Sequence, residues 1–350
     1  MFECESFGEG FLAKLNLWAV EHCVPFSTTF ELTPFCNFRC PMCYVRLEKH
    51  QAQKQGEMLK IGDWLEIARQ LRDMGTLRIT LTGGEVFTHP QFWELYGELN
   101  KMGFWISILS NGYLIDDDAM EKFRFYGMPH SVKLSIYGAS DETYAEVCGV
   151  KSGFTRLGNA VRLLKEAGVP TTMNATVIRE NADDLQAMYL FARENRIPFQ
   201  HTIAVLKSSR GAENTAESSR LGFIDFSKEL TVDDLEKSRY PAPENPFSLC
   251  ASFRKSLFIT WNGHFQLCSF LSEPYIQYSG NTSDDFKKLY EKLSDLKNPA
   301  ECENCRWKEF CQRCPGILCA ESGHPEKTDK NFCETARQLW LLYDNKKKGI

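Results

Sequence analysis

Residues 27–33, Ser-Thr-Thr-Phe-Glu-Leu-Thr, show the period-two alternation of a strand with one buried face. From 61 to 75 the period changes. Trp64, Ile67, Ala68 and Leu71 recur three and four residues apart, which predicts an amphipathic helix that stops at Gly75. The two periods then take turns along the chain. Strands are expected at 77–81, 104–109, 132–137, 171–178 and 199–204. Helices are expected at 90–102, 116–126, 153–167 and 182–194, two of them closed by Gly103 and Gly168. Six strands alternating with helices predict parallel βα units. In such sheets chemistry gathers at the carboxyl ends of the strands.

The alternation stops after Arg210-Gly211. Residues 212–249 are mixed and polar and include Tyr-Pro-Ala-Pro-Glu-Asn-Pro, a linker composition. From Cys250 the cysteine density rises. The expected organisation is a segment 1–26, a βα core 27–211, a linker 212–249 and a cysteine-rich domain 250–350. Within the last, Trp261-Asn-Gly-His264 reads as a hairpin turn that brings Cys250 and Cys268 together on adjacent strands. Lys346-Lys347-Lys348 reads as the solvated end of a helix, where cations suit the dipole.

Composition narrows the function classes. The net charge of −5 gives no electrostatic footprint for nucleic acid. No apolar run is long enough to span a membrane, and residues 1–10 lack the pattern of a secretory signal. Fourteen cysteines without an export signal point to metal or redox chemistry rather than disulfides. The expected location is cytoplasmic, and anaerobic because oxygen damages exposed iron–sulfur clusters.

The cysteines carry the most specific pattern. Cys36-Asn-Phe-Arg-Cys40-Pro-Met-Cys43 places three thiols within eight residues, enough to hold three irons of a [4Fe–4S] cluster. A zinc site or a closed ferredoxin cluster needs a fourth protein ligand, and the run contains none. The bland alternative is three buried apolar thiols. Thr82-Gly83-Gly84-Glu85 follows the second expected strand, where two glycines let a ligand approach the backbone closely. This run and loop together resemble the radical S-adenosylmethionine (SAM) enzymes.

The resemblance implies a partial (β/α)6 barrel whose open iron binds the amino and carboxylate groups of SAM. It implies that the 82–85 loop holds the methionine amino group, and that Asn111 and Ser135, at the ends of the third and fourth strands, contact SAM. A turn Asn-Gly and a turn serine are the bland readings of those two. Two departures stand out. Met42 occupies the position before the third cysteine, where an aromatic residue near adenine is frequent in the family. The 144–149 stretch lacks the arginine that related sulfatase-maturing enzymes carry for the SAM carboxylate, which leaves Arg179, past the fifth strand, as the replacement cation.

The C-terminal pattern is Cys250, Cys268, Cys302-x2-Cys305-x5-Cys311-x2-Cys314-x4-Cys319 and Cys333. It resembles the SPASM extension of peptide-modifying radical SAM enzymes, which holds auxiliary [4Fe–4S] clusters. By that resemblance Cys302, Cys305, Cys311 and Cys333 belong to an outer cluster. Cys250, Cys268 and Cys314 belong to an inner one, with Cys319 as its fourth ligand. The usual C-x3-C at the end of the central run is C-x2-C here, a departure that leaves the assignment of Cys314 versus Cys319 open. A Cys4 zinc site is the rival reading, against which the loop between the two C-x-x-C pairs is far shorter than the usual ~12–20 residues. Cys4, Cys23 and Cys148 fit no cluster.

The expected function is reductive cleavage of SAM to a 5′-deoxyadenosyl radical, which takes hydrogen from a substrate, a residue of a peptide or protein by the resemblance. Other readings are an enzyme acting on a small-molecule or cofactor precursor, and a non-catalytic electron-transfer or zinc protein. Sulfatase maturation is disfavoured: the aspartate that such relatives carry after the second hairpin cysteine is Ser269 here, a poor base. No catalytic acid or base is assigned. The expected partners are an electron donor such as flavodoxin or ferredoxin and a peptide substrate. Only a short segment precedes the first strand, so peptide recognition would fall to a separate protein or to the linker.

Overall fold

The computed structural model describes residues 7–210, 216–222, 231–237, 239–240 and 245–348. Cys4 and much of the 212–249 linker lie outside the described residues.

Helix α1 (Phe7–His22) leads into strand β1 (Ser27–Glu31). A long loop and the helices α2 (Lys49–Gln55) and α3 (Ile61–Asp73) precede β2 (Arg78–Thr82). The chain then runs α4 (Phe92–Lys101), β3 (Trp105–Ser110), α5 (Asp117–Tyr126), β4 (Ser131–Ile136), α6 (Asp141–Cys148), α7 (Gly153–Glu166), β5 (Thr171–Thr176), α8 (Leu185–Glu194) and β6 (Phe199–Thr202). The strands lie in sequential order and pair in parallel, as βα repetition requires. All six expected strands form, each within a few residues of its predicted bounds.

Strand alternation explains the two faces. In β4, Val132, Leu134 and Ile136 are buried against the helices, while Lys133 and Ser135 turn to the other face. The helices return the complementary stripe: Trp64, Ile67, Ala68 and Leu71 of α3 are wholly buried, as their spacing predicts. Helices α1, α2 and α6 were not anticipated.

The cysteine-rich region is joined to this sheet. Strand β7 (Ser256–Ile259) pairs in parallel with β1, and β8 (His264–Gln266) and β9 (Ile276–Gln277) extend it antiparallel, giving a nine-stranded sheet of order β6-β5-β4-β3-β2-β1-β7-β8-β9. The Asn262-Gly263 turn joins β7 to β8, with Gly263 at φ +85°. A guanidinium held by a buried ion pair within the core reaches across to the cysteine-rich region. Arg210 Nε and Nη2 donate to Glu31 at 2.9 and 2.8 Å, and Arg210 Nη1 donates to the Ser269 carbonyl at 3.2 Å. The chain closes with helices over Thr282–Ser294, Pro315–Ser322 and Lys330–Lys348, the last ending in the expected lysine triplet.

Candidate active site

The loop after β1 is held by the loop after β2. Gly84 N donates to the Thr33 carbonyl at 2.7 Å, and Glu85 N to the Phe35 carbonyl at 2.8 Å. A Cβ on Gly83 would stand 2.6 Å from the Thr33 oxygen, and one on Gly84 would stand 2.3 Å from the Phe35 oxygen. Both glycines are therefore required by the approach of two backbones, one of them the entry to the cysteine run. The result is a cavity of about 240 Å³ lined by Cys36, Cys40 and Cys43 together with Thr82, Gly83 and Gly84. Asn111 and Ser135 line it as well. Eight of the seventeen residues that line it are ones the sequence singled out.

Hydrogen bonds pre-position the thiols. Phe38 N points at Cys36 Sγ and Arg46 N at Cys43 Sγ, both at 3.3 Å. Asn111 Nδ2 bridges Asn37 Oδ1 at 2.8 Å and Cys36 Sγ at 3.8 Å. Burial pushes the Cys36 and Cys43 thiols above their ordinary range; for Cys40 the larger cause is contact with Cys148, whose Sγ lies 3.5 Å away. Such thiols stay neutral until a polycationic group arrives to take them as thiolates. Cys148, assigned to no cluster, is buried behind Cys40.

Three other expected contacts fall elsewhere. Glu85 is 1% exposed, and its carboxylate is occupied by Ser110 Oγ at 2.9 Å, Asn111 N at 2.8 Å and Phe87 N at 3.3 Å. Burial outweighs those donors and raises its pKa to about 7. Glu85 braces the loop from behind instead of lining the cavity. Met42 is buried in the core and does not line the cavity either. Arg179 is exposed, and its Nη2 donates to the Arg220 carbonyl at 3.3 Å. The cause is Asn181, whose side chain accepts from Ile178 N and donates to the Tyr137 and Thr176 carbonyls. This anchor winds residues Arg179–Asp184 into a 3₁₀ turn, and Arg179 is left outside.

The cavity also contains residues that sequence reasoning passed over. Lys133, Tyr137, Asn174 and Thr176 line it as well. Lys133 shares a strand face with Ser135, and Asn174 is the register partner of Ser135, so period two and strand pairing were the available signal. Tyr44 lines the cavity too, contacts Ser269 by a side-chain hydrogen bond and packs its ring 4.7 Å from Phe270. It spans from the residue after Cys43 to the residues after Cys268.

The C-terminal thiols form two groups. Cys302, Cys305, Cys311 and Cys333 surround a cavity of about 20 Å³. Cys250 and Cys268 each have Cys314 as a near neighbour. Cys250 and Cys268 are thus close, but both lie beyond the strand ends and not on the strands. Cys319 is buried with Ser272 Oγ 3.4 Å from its Sγ. Burial raises Cys268 and Cys302 to about 11. Among the described residues, no three His, Cys, Asp or Glu side chains converge tightly enough for a single metal ion. A four-iron cluster bonds each thiolate to a different iron and takes a wider ring, so the thiol sets fit clusters in donor type and number.

Comparison with known proteins agrees with this geometry. Residues 30–192 match the Radical SAM superfamily. The PqqA peptide cyclase of Gluconobacter oxydans is 28% identical over 181 residues, covering 51% of this chain and 49% of that protein. The sporulation killing factor maturation protein SkfB of Bacillus subtilis is 32% identical over 162 residues, 46% of this chain and 38% of that one. The chain thus spans half or less of the length of these curated relatives. Among solved structures, Streptococcus suis SuiB bound to S-adenosylmethionine aligns with TM-score 0.62 at 16% identity, covering 95% of this chain and 84% of that one. The enzyme anSMEcpe with bound AdoMet aligns with TM-score 0.62 at 15% identity, covering 92% and 98%. At such identities the two structures speak for the fold alone. The sequence match runs from β1 into α8, the same stretch that folds the thiols and the glycine loop into one cavity, so this part of the chain is similar to the radical SAM superfamily.

Proposed function

We propose that this chain is a radical SAM enzyme that modifies a peptide. The observation that carries the reading is one cavity lined by three thiols and by the Gly83-Gly84 backbone, with room for a ligand beside the thiols. Cys36, Cys40 and Cys43 would hold a [4Fe–4S] cluster. When bound, that cluster and SAM supply a one-electron cleavage that yields a 5′-deoxyadenosyl radical. The chain's own residues do the rest. Backbone N–H groups from Phe38 and Arg46 hold two thiols in place, the glycines let the cysteine loop pack against the loop after β2, and the buried walls exclude water.

The second thiol sets extend the proposal. Cys302, Cys305, Cys311 and Cys333 would hold an outer auxiliary cluster, and Cys250, Cys268 and Cys314 an inner one. The nearness of Cys314 to Cys250 and Cys268 supports it as an inner ligand. The domain division at 212–249 stays part of this proposal.

A peptide substrate is supported by the names of the relatives, a peptide cyclase and a killing-factor maturation protein, and by the SuiB structure bound to precursor peptide SuiA. An electron donor such as flavodoxin or ferredoxin and a cytoplasmic location complete the proposal. Among the described residues no helix is long and apolar enough to cross a membrane. The test is anaerobic reconstitution with iron and sulfide, reduction, and measurement of 5′-deoxyadenosine from SAM. Reconstituted chain that forms none would overturn the reading, and a stable zinc with about four irons would overturn the auxiliary clusters.

A further inference from the structure

We infer that Lys133 is the residue that binds the carboxylate of SAM. The inference rests on the SAM-binding reading above and names the cation that Arg179, turned to solvent, does not supply. Three observations carry it. Lys133 is the only charged side chain among the described residues that line the cavity; Asp and Glu are absent from that lining. It has no hydrogen bond or ion pair to any described residue. On the adjacent strand, opposite Ser135, Asn174 lines the same cavity and its Oδ1 is buried without a partner.

A lysine half-buried in a pocket without a counter-charge is costly unless an anion completes it. The protein side of the cavity offers none. The thiols stand ready for a cluster, and the remaining wall is neutral: Thr82, Ser135, Asn174, Thr176 and the tyrosines. The missing charge must arrive with the ligand, as an oxyanion able to accept a charge-assisted hydrogen bond. Asn174 Oδ1 is an acceptor and asks the same ligand for an N–H or O–H donor. A ligand that brings both a carboxylate and donor hydrogens has the chemistry of an amino acid, and SAM has it.

Depth favours the cofactor over an acidic residue of the substrate. Lys133 is the third residue of β4, and Ser135 stands two residues nearer the carboxyl end on the same face. A polypeptide reaching Lys133 would have to pass the level of Ser135 and the cysteine loop. A small ligand bound within the cavity meets the ammonium directly.

The test is equilibrium binding to anaerobically reconstituted chain, with SAM and with decarboxylated SAM, which keeps the sulfonium, amine and adenosine but lacks the carboxylate. Lys133→Met is expected to weaken SAM about ten-fold or more and to leave decarboxylated SAM unchanged. Lys133→Arg should recover most of the loss, and Arg179→Met should lose nothing. Iron content and circular dichroism confirm that each variant is folded and loaded, and Lys133→Gln replaces Lys133→Met if the latter loses iron. Unchanged SAM affinity in the Lys133 variant, an equal loss for both ligands, or a loss confined to Arg179→Met overturns the assignment while the SAM-binding reading survives. Wild-type chain that binds no SAM at all overturns both.

Discussion

The thiol set near β1 and the set formed by Cys302, Cys305, Cys311 and Cys333 use the same donor chemistry in opposite settings. The first has three thiols on a wall of a cavity of about 240 Å³; the second has four thiols around about 20 Å³. Three donors beside open space leave a position for a ligand that is not protein. Four donors lining one small cavity would supply every ligand of a cluster from the protein itself. The same contrast separates catalytic from structural metal sites in general, where an open position marks reactivity. The neighbourhoods differ in kind as well. The first set sits against a glycine loop and a bare lysine, whereas the second packs beside Trp307, Lys308, Arg313 and Ala336. Number of donors, room and unpaired polar groups together distinguish a site for chemistry from a site for holding a group.

The largest effect that would break this contrast is expected from Cys40→Ala. Two thiols cannot hold the first cluster, whereas the C-terminal sets keep all their ligands. SAM cleavage should vanish, and bound iron should fall from about twelve to about eight per chain, read by anaerobic iron analysis and 5′-deoxyadenosine yield. Cleavage at the wild-type rate would remove the open-site assignment. Cys311→Ala approaches the contrast from the other side. Product should be lost while some uncoupled SAM cleavage persists, provided circular dichroism shows the region folded, since metal binding and folding are coupled in such small units. Full product formation would make the closed site dispensable.

Gly84→Ala should give an intermediate effect. Its Cβ would stand 2.3 Å from the Phe35 oxygen, so the cysteine loop must move. SAM affinity should fall roughly ten- to a hundred-fold, as sub-ångström displacements of a binding site do; Gly103→Ala, with open space around its Cβ site, should leave SAM affinity within about two-fold.

The smallest effect concerns the hairpin strand β8, which extends the sheet beyond β7. Burial, and then the charge of Arg210, lowers the His264 pKa to about 4. The folded chain therefore keeps His264 neutral where the unfolded chain protonates it near its ordinary 6.5. Its contribution to stability is complete above pH 6.5 and declines as pH falls from there toward 4. Wild-type Tm should drop more between pH 7.5 and 5.5 than that of His264→Gln, by roughly a few degrees. Equal drops would show that the hairpin does not feel this proton.

What could be read from the chain follows the range of the interactions. The three-thiol run, the glycine loop and the six βα repeats are local patterns, and each is expressed where it was expected. Lys133 was not legible, because one lysine in an apolar strand looks the same whether its face meets solvent or a cavity. Arg179 was misplaced for the converse reason. Its position past a strand end suggested the cavity mouth, and only the Asn181 anchor, bonded to a carbonyl 44 residues away, turns it out. Glu85 kept its place in the loop, yet three donors from β3, the loop after it and its own turn claimed its carboxylate.

The sequence alone determined the donor types, their count in the first run and the alternation that sets strands in parallel. These are matters of residue identity and short-range period. Tertiary structure decided that β7 joins β1, that Cys250, Cys268 and Cys314 come near one another, and that Lys133 shares a cavity with the thiols. Each of those depends on which distant segments meet. Burial, charge and unpaired polar atoms acquire meaning only once the neighbours are known.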